Sequence, residues 1–357
     1  MNLALIATLA LHQQADFAWF EMDGLLTPPT KTAIRVPLGA LEVTKHSPIH
    51  DWTFPRTVTG MLESGGQFTP RFRVFRQNIL GKPEDDVSVG VTRFLLRLVE
   101  MNRTRLRLDH SVEFPSRTVD VYLCDGGEPG ALQRLSVDKD DKLPGGGAAK
   151  VNTIHIYAIG GLNSRLEWAR ELAHEYGHAT LPPVTIPGGP EEWANGDLGE
   201  RMYLSRLHEL LVAGKASPSD TMGASAEQLQ RYVAQNVTPL VMAAATLGPR
   251  PKVLESGDKA TFDAYLGLAL YCEKILPRSI FARSLVLPDD QSPGAYARAI
   301  VAATSEVAEW KPSLPEELKG SPVWLPLGKG KLQGGNVLSR AGDWAKVSLN
   351  PGATVAN

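Results

Sequence analysis

The chain has 357 residues, 43% hydrophobic and 21% charged, with a formal net charge of −2. This length can bury a sizeable core and divide into two or three packed units, and the near-neutral balance excludes a global basic footprint for nucleic acid. No apolar run reaches the roughly 20 residues that a bilayer-spanning helix needs, so no stable membrane span is expected, and Cys124 and Cys272 are too few for a disulfide scaffold or a cysteine metal site.

In chain order, the first feature is the apolar run Leu3–Leu11, followed by His12-Gln13-Gln14-Ala15. Its length fits the apolar region of an export signal over 1–15, which implies a secreted protein, periplasmic or extracellular, whose two cysteines could pair. It also fits a buried element of a cytoplasmic chain, in which both cysteines stay apolar thiols. Residues 16–84 carry short alternating runs broken by Pro and Gly, such as Thr32–Pro37 and Arg71–Phe75, and read as a β-rich N-terminal unit. Val89–Met101 places Phe94, Leu95, Leu98 and Met101 on one helical face. Arg105–Asp109 reads as a strand and Val119–Cys124 as a clearer one. The mixed charges of Asp138–Lys142 belong to a solvated loop. Thr153–Ile159 is a strand leading into a helix that begins near Ser164, where Ser164 and Glu167 have capping-box spacing.

Beyond Pro190 the spacing predicts helices over about 197–213, 225–246, 257–276 and 292–310, then an irregular tail over 313–357. Strands first and a block of helices afterwards argue an α+β fold. The expected division is a β-rich unit over 16–84, an α+β subdomain over 85–190 and a helical subdomain over 191–312.

The α+β subdomain contains His174-Glu175-Tyr176-Gly177-His178, the pattern H-E-x-x-H. Residues four apart share a helix face, so both imidazoles can reach one metal ion. Zinc suits two neutral imidazoles and a carboxylate, with a fourth position left for water. Glu175 then stands beside that water as general base rather than on the metal. A third ligand must come from elsewhere, and Glu191-Glu-Trp-Ala-Asn-Gly-Asp-Leu-Gly-Glu200 offers four carboxylates. On a helical wheel Glu200 shares a face with Tyr203, Leu204, Leu207 and Leu211, while Arg201, Ser205 and Glu209 lie opposite. A carboxylate on an apolar face must be paired or metal-bound, which selects Glu200. The competing reading makes Asp197 and Glu200 a capping box.

At these residues the sequence resembles the gluzincin metallopeptidases, over about residues 85–275. Trp168–His178 is similar to their motif helix, and Glu200 to the glutamate ligand on their next helix. The resemblance implies a zincin-like catalytic core, a Zn2+ cofactor and hydrolysis of peptide or protein substrates. It also implies that the strand Asn152–Ile159 is an edge strand along the substrate cleft. Tyr265, in Phe262-Asp-Ala-Tyr265-Leu-Gly267, matches the tyrosine that donates to the transition state in that group, although a core tyrosine has the same pattern. The Gly-x-Met-Glu-Asn signature of the family's aminopeptidases is absent, as is the third histidine of the metzincins. Two other functions fit the same residues: a catalytically silent binding module, against which the intact Glu175 argues, and a zinc hydrolase of a non-peptide bond.

Overall fold

A computed structural model describes residues 17–22, 31–37, 44–64, 67–77, 87–108, 118–142, 148–162 and 164–357. The possible export signal over 1–15 lies outside the described residues. The architecture is α+β. The chain divides into two units: Met1–Met101 with Asp109–Ala179 and Glu209–Ala226, and Asn102–Leu108 with Thr180–His208 and Glu227–Asn357.

The first unit is built on one seven-stranded sheet. Its strands are β1 (Phe17–Met22), β2 (Thr32–Pro37), β5 (Arg56–Ser64), β6 (Gln67–Arg76), β7 (Val119–Leu123), β8 (Gly130–Lys142) and β9 (Ala148–Tyr157). They lie in the order β1-β2-β5-β6-β7-β9-β8. The pairs are antiparallel from β1 to β6, parallel through β7 to β9, and antiparallel again between β9 and β8. Strands β1, β2, β5 and β6 therefore do not form a separate N-terminal sheet; they continue the one that carries β7 to β9.

Helix α1 (Val87–Met101) packs on one face of this sheet, against β5 and β6. It comes so close that a Cβ on Gly60 would lie 2.7 Å from the Thr92 side chain, which explains the glycine in mid-strand. Helix α2 (Arg165–Thr180) covers the same face, with the Tyr176 ring 5.8 Å from that of Phe72 and the Asn152 amide donating to the Ala179 carbonyl.

Two expectations need correction here. Asn152–Ile159 is not at the sheet's edge, because β9 lies between β7 and β8; the edge strand on that side is β8. The physical reason is legible in burial: Val151 to Ile156 are buried on both faces, as a central strand must be. Nor is Asp138–Lys142 a solvated loop. It ends β8, and buried Asp138 accepts both oxygens' bonds from Lys45 Nζ, at 2.6 and 2.7 Å. Lys45 belongs to the small hairpin β3 (Lys45–His46) and β4 (Thr53–Phe54), on the face of the sheet away from α1 and α2.

Beside that hairpin His155 is fully buried, stacked on Tyr122 at 4.6 Å between ring centroids, with Nε2 3.2 Å from Ser47 Oγ. Its Nδ1 has no hydrogen-bond partner among the described residues. Burial, with help from His50 and Arg134, pushes its pKa down from 6.5 to about 3. A depressed folded pKa gives stability that is complete above the unfolded value of about 6.5 and is lost as pH falls towards 3. Between pH 7.5 and 4.5 the loss should be about 2–3 kcal/mol. His155→Phe keeps the ring stack and removes the proton site, so urea melts at the two pH values should show a gentler acid loss in the variant. Equal losses in both chains would mean that His155 contributes nothing to acid sensitivity.

The second unit opens, after α2, with a loop pinned by a bridge between Thr185 and Trp193. Helices α3 (Asn195–Val212), α4 (Ala226–Asn236), α5 (Thr238–Leu247), α6 (Lys259–Ile275), α7 (Arg278–Val286) and α8 (Pro293–Ser305) follow, with the last four residues of α3 assigned to the first unit. The single helix expected over 225–246 is two. Pro239 has no N–H and clashes with the preceding turn, so the chain breaks between Asn236 and Thr238. Of the strand expected over Arg105–Asp109, the described residues, up to Leu108, form none. Asn102–Leu106 form a π-helical turn, in which Asn102 donates to Thr180 Oγ1 and accepts from Tyr203 Oη.

Helix α6 is buried nearly all round, the pattern of an interior helix. A Cβ on Gly267 would stand 2.7 Å from the Leu240 carbonyl oxygen, so glycine there lets α5 and α6 approach closely. The expected irregular tail is instead a four-stranded antiparallel sheet, β10 (Glu309–Trp310), β11 (Val323–Pro326), β12 (Lys331–Ala341) and β13 (Trp344–Ala356).

Candidate functional site

In the first unit the H-E-x-x-H residues lie on the C-terminal half of α2. Leu172, Ala173, Tyr176 and Ala179 are buried, while His174 and His178 are half-buried on another side of the helix. Ser164 Oγ accepts from the Glu167 N–H at 3.0 Å and fixes where the helix starts. The two Nε2 atoms converge to 3.1 Å, with the rings edge to face and 4.8 Å between centroids. Two nitrogens each about 2.0–2.1 Å from a tetrahedral zinc would be roughly 3.4 Å apart. The pair thus fits a zinc ion with almost no adjustment.

Glu175, one residue on from the first imidazole, is buried. Burial raises its carboxyl to about 7, against the opposing pull of His174, His178 and a hydrogen bond from the Gln133 main-chain N–H. Gln133 lies on β8, so that bond ties the edge of the sheet to the glutamate. The position of β8 was not read from the sequence, because the charges that protect its edge resemble those of a loop.

Within the second unit, Glu200 is 6% exposed on the buried face of α3, with Tyr203, Leu204 and Leu207 buried beside it. Tyr232 Oη, on α4, donates to Glu200 Oε1 at 2.8 Å. No sequence signal pointed to Tyr232. Asp197 is not a helix cap: α3 begins two residues earlier, at Asn195, and the Asp197 carboxylate is ion-paired with Arg201. Glu191 stands in the pinned loop before α3, where Ile186 donates to the Glu192 carbonyl and Ala194 to that of Val184.

Tyr265 is packed inside α6's surroundings, its ring edge-on to Tyr296 at 5.4 Å, and burial holds its phenol well above the ordinary value. That is the environment of a core tyrosine. Cys124 and Cys272 are both buried and free. No helix among the described residues is long and apolar enough to cross a membrane. No family model matches the chain, and no curated protein or solved structure matches it either.

Proposed function

We propose that the chain is a zinc-dependent peptidase of the gluzincin type with a zincin-like core, hydrolysing peptide bonds with Glu175 as general base. The observation that carries this reading is the convergence of the His174 and His178 Nε2 atoms at 3.1 Å, with the buried Glu175 carboxyl on the same turn. A purely structural zinc site has no use for such a base.

His174 and His178 would hold the ion through Nε2. Glu200, a carboxylate on the buried apolar face of α3, is assigned as the third ligand in preference to Asp197, which Arg201 already engages; Glu191, in the loop before α3, is the competing carboxylate. Bound zinc supplies Lewis acidity and lowers the pKa of water. Glu175 removes the proton from the attacking water and returns it to the leaving amine. The Gln133 N–H keeps that carboxylate aimed while it changes protonation state. The edge along which a peptide would lie is then β8 rather than β9. The transition-state donor is not assigned to Tyr265, since its ring is enclosed.

The test combines elemental analysis with peptide-library cleavage. The purified chain should carry about one zinc, and cleavage should stop with a chelator and return when zinc is added back. Stoichiometric zinc with no cleavage of any library peptide would overturn the peptidase reading.

A further inference from the structure

The C-terminal sheet of the second unit is anchored on one side and open on the other. Its spine is β13, which pairs with β10 and β11 along one edge and with β12 along the other. The β11 side is tied to helices: Tyr271 Oη donates to the Trp324 carbonyl at 2.7 Å, and Trp324 Nε1 donates to that of Thr246 at 3.1 Å. Among the described residues β12 pairs with β13 alone. Its outer row of N–H and C=O groups is therefore without a strand partner.

This strand is 11 residues long, and nine of them are exposed, so solvent reaches both of its faces. Val337 and Leu338, at its middle, are 43% and 53% exposed. Proteins commonly blunt a long edge with proline, shortness, bulges or lysine; β12 has no proline and is long, though it carries Lys331 and two register shifts, between Gln333 and Gly335 and between Val337 and Ser339. Its side-chain charge is the second, independent feature. Residues 329–357 contain Lys329, Lys331, Arg340 and Lys346 against Asp343 alone, four cations to one carboxylate, in a chain whose net charge is −2. None of the four cations is ion-paired among the described residues; Arg340 only reaches the Gly328 carbonyl, at 3.4 Å.

We propose that the outer edge of β12 takes up an extended acidic peptide as an added strand. The main-chain ladder supplies the affinity, and the cations near its two ends select the charge. Lys331 and Arg340 are nine residues apart, roughly 30 Å along a strand, so the segment recognised is about eight to ten residues long. It is acidic near both ends and apolar in the middle, over Val337 and Leu338. Self-association is the poorer match, since two copies would bring the same cationic strips together. A single-stranded nucleic acid is poorer too, because β12 has no aromatic side chain on which bases could stack. The proposal does not rest on the peptidase reading.

Fluorescence anisotropy on the full chain tests it, with a labelled peptide carrying Glu at both ends of a Val/Thr core. That peptide should bind at least tenfold more tightly than the same core flanked by Lys. The surface double variant K331E/R340E, checked for an unchanged thermal midpoint, should lose at least tenfold in affinity. A probe N-methylated at alternate residues should lose as much, since it cannot form the ladder. Equal binding of the Glu and Lys peptides, or full binding of the N-methylated probe, would overturn the proposal. So would a dimer in light scattering that K331E/R340E alone disrupts or strengthens, or tighter binding of a single-stranded oligonucleotide than of the acidic peptide.

Discussion

Glu175→Gln is expected to retain about one zinc per chain and to lose at least a hundredfold, and up to about ten-thousandfold, in peptide hydrolysis. The amide is nearly isosteric and its oxygen can still accept from Gln133, so folding and the two imidazoles are left intact. It cannot take up a proton, and the pKa-raising burial that prepares Glu175 for that step no longer has a group to act on. His178→Ala should behave differently, losing metal and activity together, because one imidazole of a pair 3.1 Å apart is gone. Zinc content by elemental analysis and initial rates on one cleavable peptide separate the two variants. A Glu175→Gln chain that hydrolyses at the unmodified rate would remove Glu175 from the chemistry and favour a binding module.

The part of this site legible in the sequence is the part written by local periodicity. The i, i+4 histidines and the capping serine fix the geometry of one helix, and one helix holds His174, Glu175 and His178. The burial of Glu200 followed from the wheel of α3 for the same reason. Long-range pairing was less legible. The run 138–142 is dense in charge, so it read as a loop, yet Asp138 and Asp140 pair with Lys45 of the hairpin β3–β4, more than ninety residues away. The strand order that makes β9 central depends on contacts between residues tens of positions apart, of which its two-sided burial was the only local trace. The C-terminal sheet was hidden by Gly334, Gly335 and Gly352, which read as breakers but lie within β12 and β13 where the register between the two strands shifts.

Glu200→Gln should weaken zinc binding by at least a hundredfold, because it removes the charged member of a three-ligand set. The substitution preserves volume, and the Tyr232 hydroxyl can still donate to the amide oxygen, so the fold of α3 and α4 should be unaffected by circular dichroism. Asp197→Ala is the control: its carboxylate is occupied by Arg201, and its loss should leave zinc affinity within a few-fold. Glu191→Gln is the competitor, since its loop is pinned in place just ahead of the helix. Tyr232→Phe gives an independent readout. If Glu200 is a ligand, the phenol orients its second oxygen, and removing that bond should cost about tenfold in zinc affinity with hydrolysis falling in step. If Glu200 is only a buried acid neutralised by Tyr232, the same change should lower the thermal midpoint and leave the metal alone. Competition against a chromogenic chelator measures all four variants on one scale. Wild-type affinity in Glu200→Gln, with affinity lost in Glu191→Gln, would transfer the third ligand to the loop and end the assignment of Glu200.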